Sequence, residues 1–377
     1  MSLIPAFLLA VALTGDDTTA RPVRASVALP SDWSLIQAPG RTLTARRGLL
    51  VGTVTADLGR LARLPRTTMH LQYLQRIGRP ASPEVGDLQG FSNIEADRLA
   101  RVGEWWVETA SPGGRVRVKA GNVDANTEFA WTSHGSIFLN SALGYSPAIV
   151  ALPTFPDPAT SASVFLASRD ARWTLSAGIF DGGEAEVGTR ALGLERLVNR
   201  PGELFTIAEA GRRWGSTTGG LDGRVGVGAW QHGSATRRDD PEKKRYAHEG
   251  VYLVLDQGLL ARTTPDGSRE VLGAFMQLAS ARRVPNALAA HASVGATLSN
   301  LPGMGSDSAG VALSWVQAGG AADVPMGTEE LAVELLYSRR PLPWLVVRSD
   351  VQWILAGRTA PGRHHATVAT VRLIVAP

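Results

Sequence analysis

The chain has 377 residues, no cysteine and a net charge of only +4, with 19% charged and 44% hydrophobic residues. The missing cysteines exclude disulfides, thiolate metal centres and a cysteine nucleophile. No dense basic run with interleaved aromatics stands out, which argues against nucleic acid as a partner.

Taken in order, the chain opens on an apolar run, Met1 to Leu13, in which Ala10-Val11-Ala12 has the small-x-small form of an export cleavage site. Residues 1–20 are therefore expected to be a signal peptide, with an N-terminal strand or buried helix as the other reading. No other stretch approaches the roughly 20 apolar residues of a membrane helix, so a membrane location would demand a closed barrel. Residues 21–47 are polar and Pro-containing and are expected to form a lead-in.

From 48 to 377 the dominant signal is alternation at period two, with Gly- and Pro-rich breaks. Met69, Leu71 and Tyr73 alternate with His70 and Gln72. The segment from Asn93 to Asp97 alternates too and is predicted as a strand. Val116, Val118 and Ala120 oppose Arg115, Arg117 and Lys119. Further on, Val251, Leu253 and Leu255 oppose Tyr252 and Asp256, and Leu331, Val333 and Leu335 oppose Glu330 and Glu334. The clearest segment sets Leu345, Val347, Val351 and Trp353 against Arg348, Asp350 and Gln352, so the first set should meet lipid and the second water.

Counted from Leu49, about sixteen strands of roughly nine to eleven residues emerge, the length a tilted strand needs to cross a bilayer. On the clear segments the charges keep one parity. A misplaced Arg or Lys on a lipid face would cost about 2–4 kcal/mol at the midplane. The fold class predicted is all-β, a transmembrane antiparallel β-barrel. Long connections after odd strands and short ones after even strands agree with it loosely.

One stretch breaks the alternation. Between Gly121 and Ser161 there is no period, and a loop of that length in a compact protein is usually functional or disordered. Asn122, Asp124, Asn126 and Glu128 place a polar group at every second residue, beside the flat faces of Phe129, Trp131 and Phe138. Polar groups next to aromatic faces suit a sugar ring, with its hydroxyl edges and C–H faces. On local chemistry alone, a surface loop folded on itself fits equally well.

The runs SNIEADRLARVGEWWVE, VKAGNVDANTEFA, IFLNSALGYSP and LPTFPDPATSASV resemble the carbohydrate-selective (OprB-like) porin family, as do EGVYLVLDQGL, GAFMQLA and ELLYSRRPLPWLVVRSDVQWI. The likeness runs from about Gly90 to the C-terminus with gaps. It implies an outer-membrane barrel that passes sugars and similar small polar solutes passively, with an inward-folded constriction loop at about 122–160. Its partners would be solute and outer-membrane lipid, without a cofactor. Monomer and homo-oligomer both stay open.

The residues expected to line the pore are Glu104, Trp106, Glu108, Arg115, Arg117, Lys119, Asn122, Asp124, Asn126, Phe129, Arg348, Asp350 and Gln352. Trp106 shares the parity of Glu104 and Glu108, whereas Trp105 should face lipid. No enzyme constellation stands: Gly215-Ser216 lacks the G-x-S-x-G spacing, Glu104 and Glu108 read as lumen partners for arginines, and His364-His365 reads as a solvated loop pair. A non-conducting or enzymatic barrel and a soluble all-β sugar-binding protein are the alternatives.

Overall fold

Alternating apolar and polar residues leave a strand with one face for lipid and one for water, and closure removes the edges that hydrocarbon could not satisfy. In the computed structural model, sixteen antiparallel strands close in this way. They are β1 (Val23–Ala38), β2 (Arg41–Asp57), β3 (Thr67–Gly78), β4 (Ala100–Ala110), β5 (Val116–Val123), β6 (Ala159–Ala167), β7 (Trp173–Asp181) and β8 (Leu204–Trp214). The circuit continues through β9 (Gly223–His232), β10 (His248–Thr263), β11 (Arg269–Ala281), β12 (Leu288–Ser299), β13 (Ser308–Ala318), β14 (Glu329–Leu342), β15 (Leu345–Ala356) and β16 (Ala366–Val375). The structure describes residues 21–150, 152–182, 204–215, 221–233, 248–263, 269–301, 306–356 and 365–376. The expected signal peptide, the charged run from Arg237 to Arg245 and most of the connection after β7 lie outside these residues.

Each strand pairs with its sequence neighbours, and β1 closes the ring against β16 in a register running from Leu29↔Val375 to Gln37↔Thr367. The two faces follow the predicted parities. On β15 Trp353 is 38% exposed while the adjacent Gln352 is 0% exposed, and on β10 Val251 is exposed while Tyr252 is buried. The exposed outer side chains, such as Leu35, Leu71, Val118, Leu175, Leu313 and Val371, form the belt that hydrocarbon covers.

The core lies inside the barrel. Residues 124–150 and 152–158, between β5 and β6, fold inward, and so do residues 79–99 between β3 and β4. Phe129 from the first segment packs with Phe165, Phe180, Phe205, Trp230 and Tyr252 of the wall. Phe138, Leu139 and Leu143 meet Phe275, Ala312 and Leu336. Phe91 of the second segment packs on Ile36, Ile354 and Val368.

Two strand expectations fail in opposite directions. Residues 21–47 are not a lead-in: they carry β1 and the start of β2. The inner face of β1 carries Asp32 and Ser34 but also Pro30 and Ile36, and those two apolar positions blur its alternation against Trp33 and Leu35. Asn93 to Asp97 is not a strand but part of the inward segment, where Asn93 and Glu95 alternate with apolar residues because they meet Arg372 and Arg47 of the wall. The gain and the loss offset each other, so the total of sixteen stands.

Candidate functional site

The long inward segment, here called the constriction loop, departs from β5 just after Gly121, whose φ of +137° suits glycine. A Cβ at Gly121 would collide with the Trp105 carbonyl on β4. Asp124 then folds the base of the loop back. Its side chain accepts from the Asn126 N–H at 2.9 Å and the Phe155 N–H at 3.0 Å. Burial pushes the Asp124 carboxyl up, against the hydrogen bonds from Thr154, Phe155, Asn126 and Thr127 that favour its charge.

Irregular backbone inside a barrel needs partners for its N–H and C=O groups. The wall supplies them, largely through carboxylates of inward parity. Glu209 on β8 accepts from the Ala130 N–H at 3.0 Å and from the Tyr252 hydroxyl at 2.9 Å. Asp256 on β10 takes the Ser133 and His134 N–H groups at 2.8 and 3.1 Å. Glu334 on β14 takes those of Leu139 and Asn140 at 2.6 and 3.0 Å. Donors from the wall reach the loop's carbonyls: Arg224 to Trp131 at 2.6 Å, Gln277 to Leu143 at 2.7 Å and Arg348 to Ile137 at 3.0 Å.

The shorter segment is held in the same manner. Glu330 accepts from the Leu88 N–H, Gln352 donates to the Phe91 carbonyl, and Arg372 bridges Asp32 and Asn93. Bonds of this kind between charged side chains and backbone are stronger than neutral ones in a low-dielectric setting.

Where the constriction loop faces β4 and β5, cations and carboxylates interleave. Arg117 pairs with Glu108 at 2.5 Å and with Glu128 at 2.6 Å. Lys119 pairs with Glu128 and stands 4.0 Å above the Trp106 ring, which stacks on His70. Burial alone would raise the Glu128 carboxyl, but Lys119 and Arg117 outweigh it and hold it below the ordinary carboxylate range. Two cations and two carboxylates leave this cluster close to neutral.

Open space remains beside this cluster, in a cavity of about 500 Å³. Glu104 and Asp124 stand among its lining residues, as do Arg340, Arg348 and Arg372 from the β14–β16 wall. Apolar surface from Leu49, Ile94, Phe155 and Ile374 lines it as well. Fixed charges of both signs on separate strands set up a field across such a passage.

The structure thus sorts the predicted residues. Glu104, Asp124 and Arg348 line the cavity. Trp106, Glu108, Arg117 and Lys119 gather in the ion cluster beside it. Asn122 donates to the Gly103 carbonyl and helps hold β5 to β4. Arg115 lies just before β5, exposed beside the turn, away from the cluster. Asn126 and Phe129 are 0% exposed, because they form the interface between loop and wall rather than the channel surface. Asp350 and Gln352 have the predicted inward parity but are buried beneath the inward segments instead of meeting water. Sequence reasoning missed Arg340, Arg372 and Asn93. Their inward position or arginine identity was the available signal, and it does not separate a cavity from a wall contact.

A closed barrel with an apolar outer belt and a lumen narrowed by its own loops defines an outer-membrane diffusion channel, a porin. The model of the carbohydrate-selective porin, OprB family, matches residues 44–375, and the chain belongs to that family. It is accordingly a passive outer-membrane pore for carbohydrates and not an enzyme.

Solved structures agree on the fold. The high-pH structure of Pseudomonas putida OprB superposes with a TM-score of 0.79 at 15% identity, covering 94% of both chains. The low-pH structure of the same protein gives 0.58 at 13% identity, over 94% of this chain and 93% of that one. An anion-selective porin from Comamonas acidovorans gives 0.55 at 11% identity, over 94% and 99%. OmpT of Vibrio cholerae in its trimer form gives 0.52 at 12% identity, over 94% and 100%. No curated protein sequence matches the chain.

Proposed function

We propose that the sugar passes through the cavity between the constriction loop and the β1–β4 and β14–β16 walls, and that its lining sets the selectivity. The observation that carries this reading is the lining itself, where Glu104 and Asp124, three arginines and apolar surface from Ile94 and Phe155 share one space. A sugar hydroxyl donates to a carboxylate and accepts from a guanidinium, so it exchanges water for protein on both sides without a charge to desolvate. Its C–H faces slide on Phe155 and Ile94. A permanent ion keeps its desolvation cost, which favours neutral polyols.

Arg340 is the residue to change, because Arg348 also anchors the loop and Arg372 is held by Asp32. Arg340→Gln combined with Phe155→Ala is expected to weaken hexose block of ion current about 30-fold in planar bilayers, as two lost contacts near 1 kcal/mol each would do. Unchanged block would place the sugar path elsewhere. The likeness to OmpT in its trimer form supports assembly of this chain into trimers, which native mass spectrometry of detergent-extracted protein tests.

A further inference from the structure

At the mouth formed by the ends of β9 and β10, two histidines face each other. His232 pairs with His248 across the two strands. Both have the inward parity of their strands, that of Trp230 on β9 and Tyr252 on β10. Their rings stand 5.6 Å apart, centre to centre, at 71°.

The hydrogen bonds decide which nitrogen of each ring carries the proton. His232 Nε2 lies 2.7 Å from the Gly182 carbonyl. A carbonyl only accepts, so Nε2 carries the hydrogen and Nδ1 holds a bare lone pair. That Nδ1 is buried and has no hydrogen-bond partner. His248 Nδ1 lies 2.6 Å from Asn286 Oδ1. The orientation of the Asn286 amide is fixed by its own Nδ2, which donates to the Arg282 carbonyl at 2.7 Å. Oδ1 therefore accepts, His248 Nδ1 carries the hydrogen, and Nε2 is bare. Each imidazole is thus anchored through one N–H to an oxygen, with the opposite nitrogen unprotonated, which is how metal-binding histidines are held in their sites.

We infer that His232 and His248 form a binding site for a divalent transition-metal ion of the zinc, nickel or copper type at the mouth of the channel. Two imidazoles on one ion, with metal–nitrogen bonds of about 2.0–2.1 Å, put their ring centres roughly 5 Å apart at a tetrahedral angle. The observed separation of 5.6 Å is close to that value. Among the described residues no group of three or more His, Cys, Asp or Glu side chains is placed to hold a metal. The pair therefore supplies two ligands and water completes the shell. Imidazole ligands select these ions over calcium and magnesium, which prefer oxygen. A bound dication would link β9 to β10 and add positive charge to the entrance.

The test uses untagged, chelator-treated protein in detergent, titrated with zinc chloride by calorimetry and with copper(II) by electron paramagnetic resonance. The wild type should bind zinc, and its copper spectrum should carry splitting from two imidazole nitrogens. His232→Gln and His248→Gln should each weaken zinc binding at least tenfold while keeping heat-modifiable mobility, and His365→Gln, at an exposed position, should leave it unchanged. The proposal is overturned if the wild type binds no zinc, if copper shows fewer than two nitrogens, or if the His365 variant is the one that loses binding. The wild-type copper spectrum decides the matter even where a variant does not fold.

Discussion

Replacing Glu334 by alanine isolates the force that keeps the constriction loop in the lumen. Its carboxylate accepts two backbone N–H groups, at 2.6 Å from Leu139 and 3.0 Å from Asn140, and the residue is 1% exposed. Without it both donors stay buried and unpaired, at about 1–3 kcal/mol each, so holding this part of the loop in place weakens by about 2–6 kcal/mol. At 1.4 kcal/mol per decade, even the lower figure shifts the balance towards a displaced loop roughly 30-fold. Asp256 holds Ser133 and His134 in the same way, and the double alanine variant should displace the loop further. Single-channel recordings in planar bilayers are the assay. Glu334→Ala is expected to raise open-state noise and to add excursions to higher conductance, and the double variant should spend most of its time there. Wild-type conductance and noise in the double variant, with the barrel shown folded by heat-modifiable mobility, would refute the reasoning.

Three further outcomes are expected. Arg117→Gln with Lys119→Gln leaves Glu108 and Glu128 uncompensated, so reversal potentials should shift towards cation preference, and no shift would remove this cluster from the ion path. Burial, then the Glu330 and Glu95 carboxylates, push Asp87 up to about 7 from 3.8. Its raised value means the packed 79–99 segment is best held at acid pH and loses about 1.4 kcal/mol per unit as pH rises from 3.8 towards 7. Asp87→Asn should therefore quieten open-channel noise at about pH 8 and change nothing at about pH 4, and identical pH profiles in both proteins would contradict this. Gly121→Ala meets both the φ of +137° and the Trp105 carbonyl, costs at least about 1–3 kcal/mol of backbone strain and should lower the heat-modification midpoint; an unaltered midpoint counts against it.

The barrel was legible in the sequence where the inner face is polar. On β15, lipid admits only Leu345, Val347, Val351 and Trp353 on one side, and Arg348, Asp350 and Gln352 mark the other. On β1 the signal is weaker because Pro30 and Ile36, the latter packed on Phe91, interrupt the inner polar row of Asp32 and Ser34. The site was less legible for a different reason. The carboxylates Glu330 and Glu334 could be read as inward, but their partners are backbone N–H groups of Leu88, Leu139 and Asn140. Every residue except proline has such a group, so nothing in those residue types announces the contact. Asp350 and Gln352 were read as wet on the same grounds, since parity tells inside from outside and not open space from filled.

The bonds from β8, β9, β10, β11, β14, β15 and β16 to the inward segments have a mechanical consequence. A closed ring of strands deforms most easily by flattening into an ellipse, a motion that keeps every strand-to-strand bond and alters only curvature. Chains of hydrogen bonds crossing the interior act as spokes against it, because Glu209, Asp256 and Glu334 grip one loop from well-separated points of the circumference. A change in lateral pressure, in membrane thickness or in contact with a neighbouring copy is then carried by the spokes instead of by the passage. The bore keeps its size while the outer wall is squeezed, so the same sugars pass in a stiff or a fluid membrane.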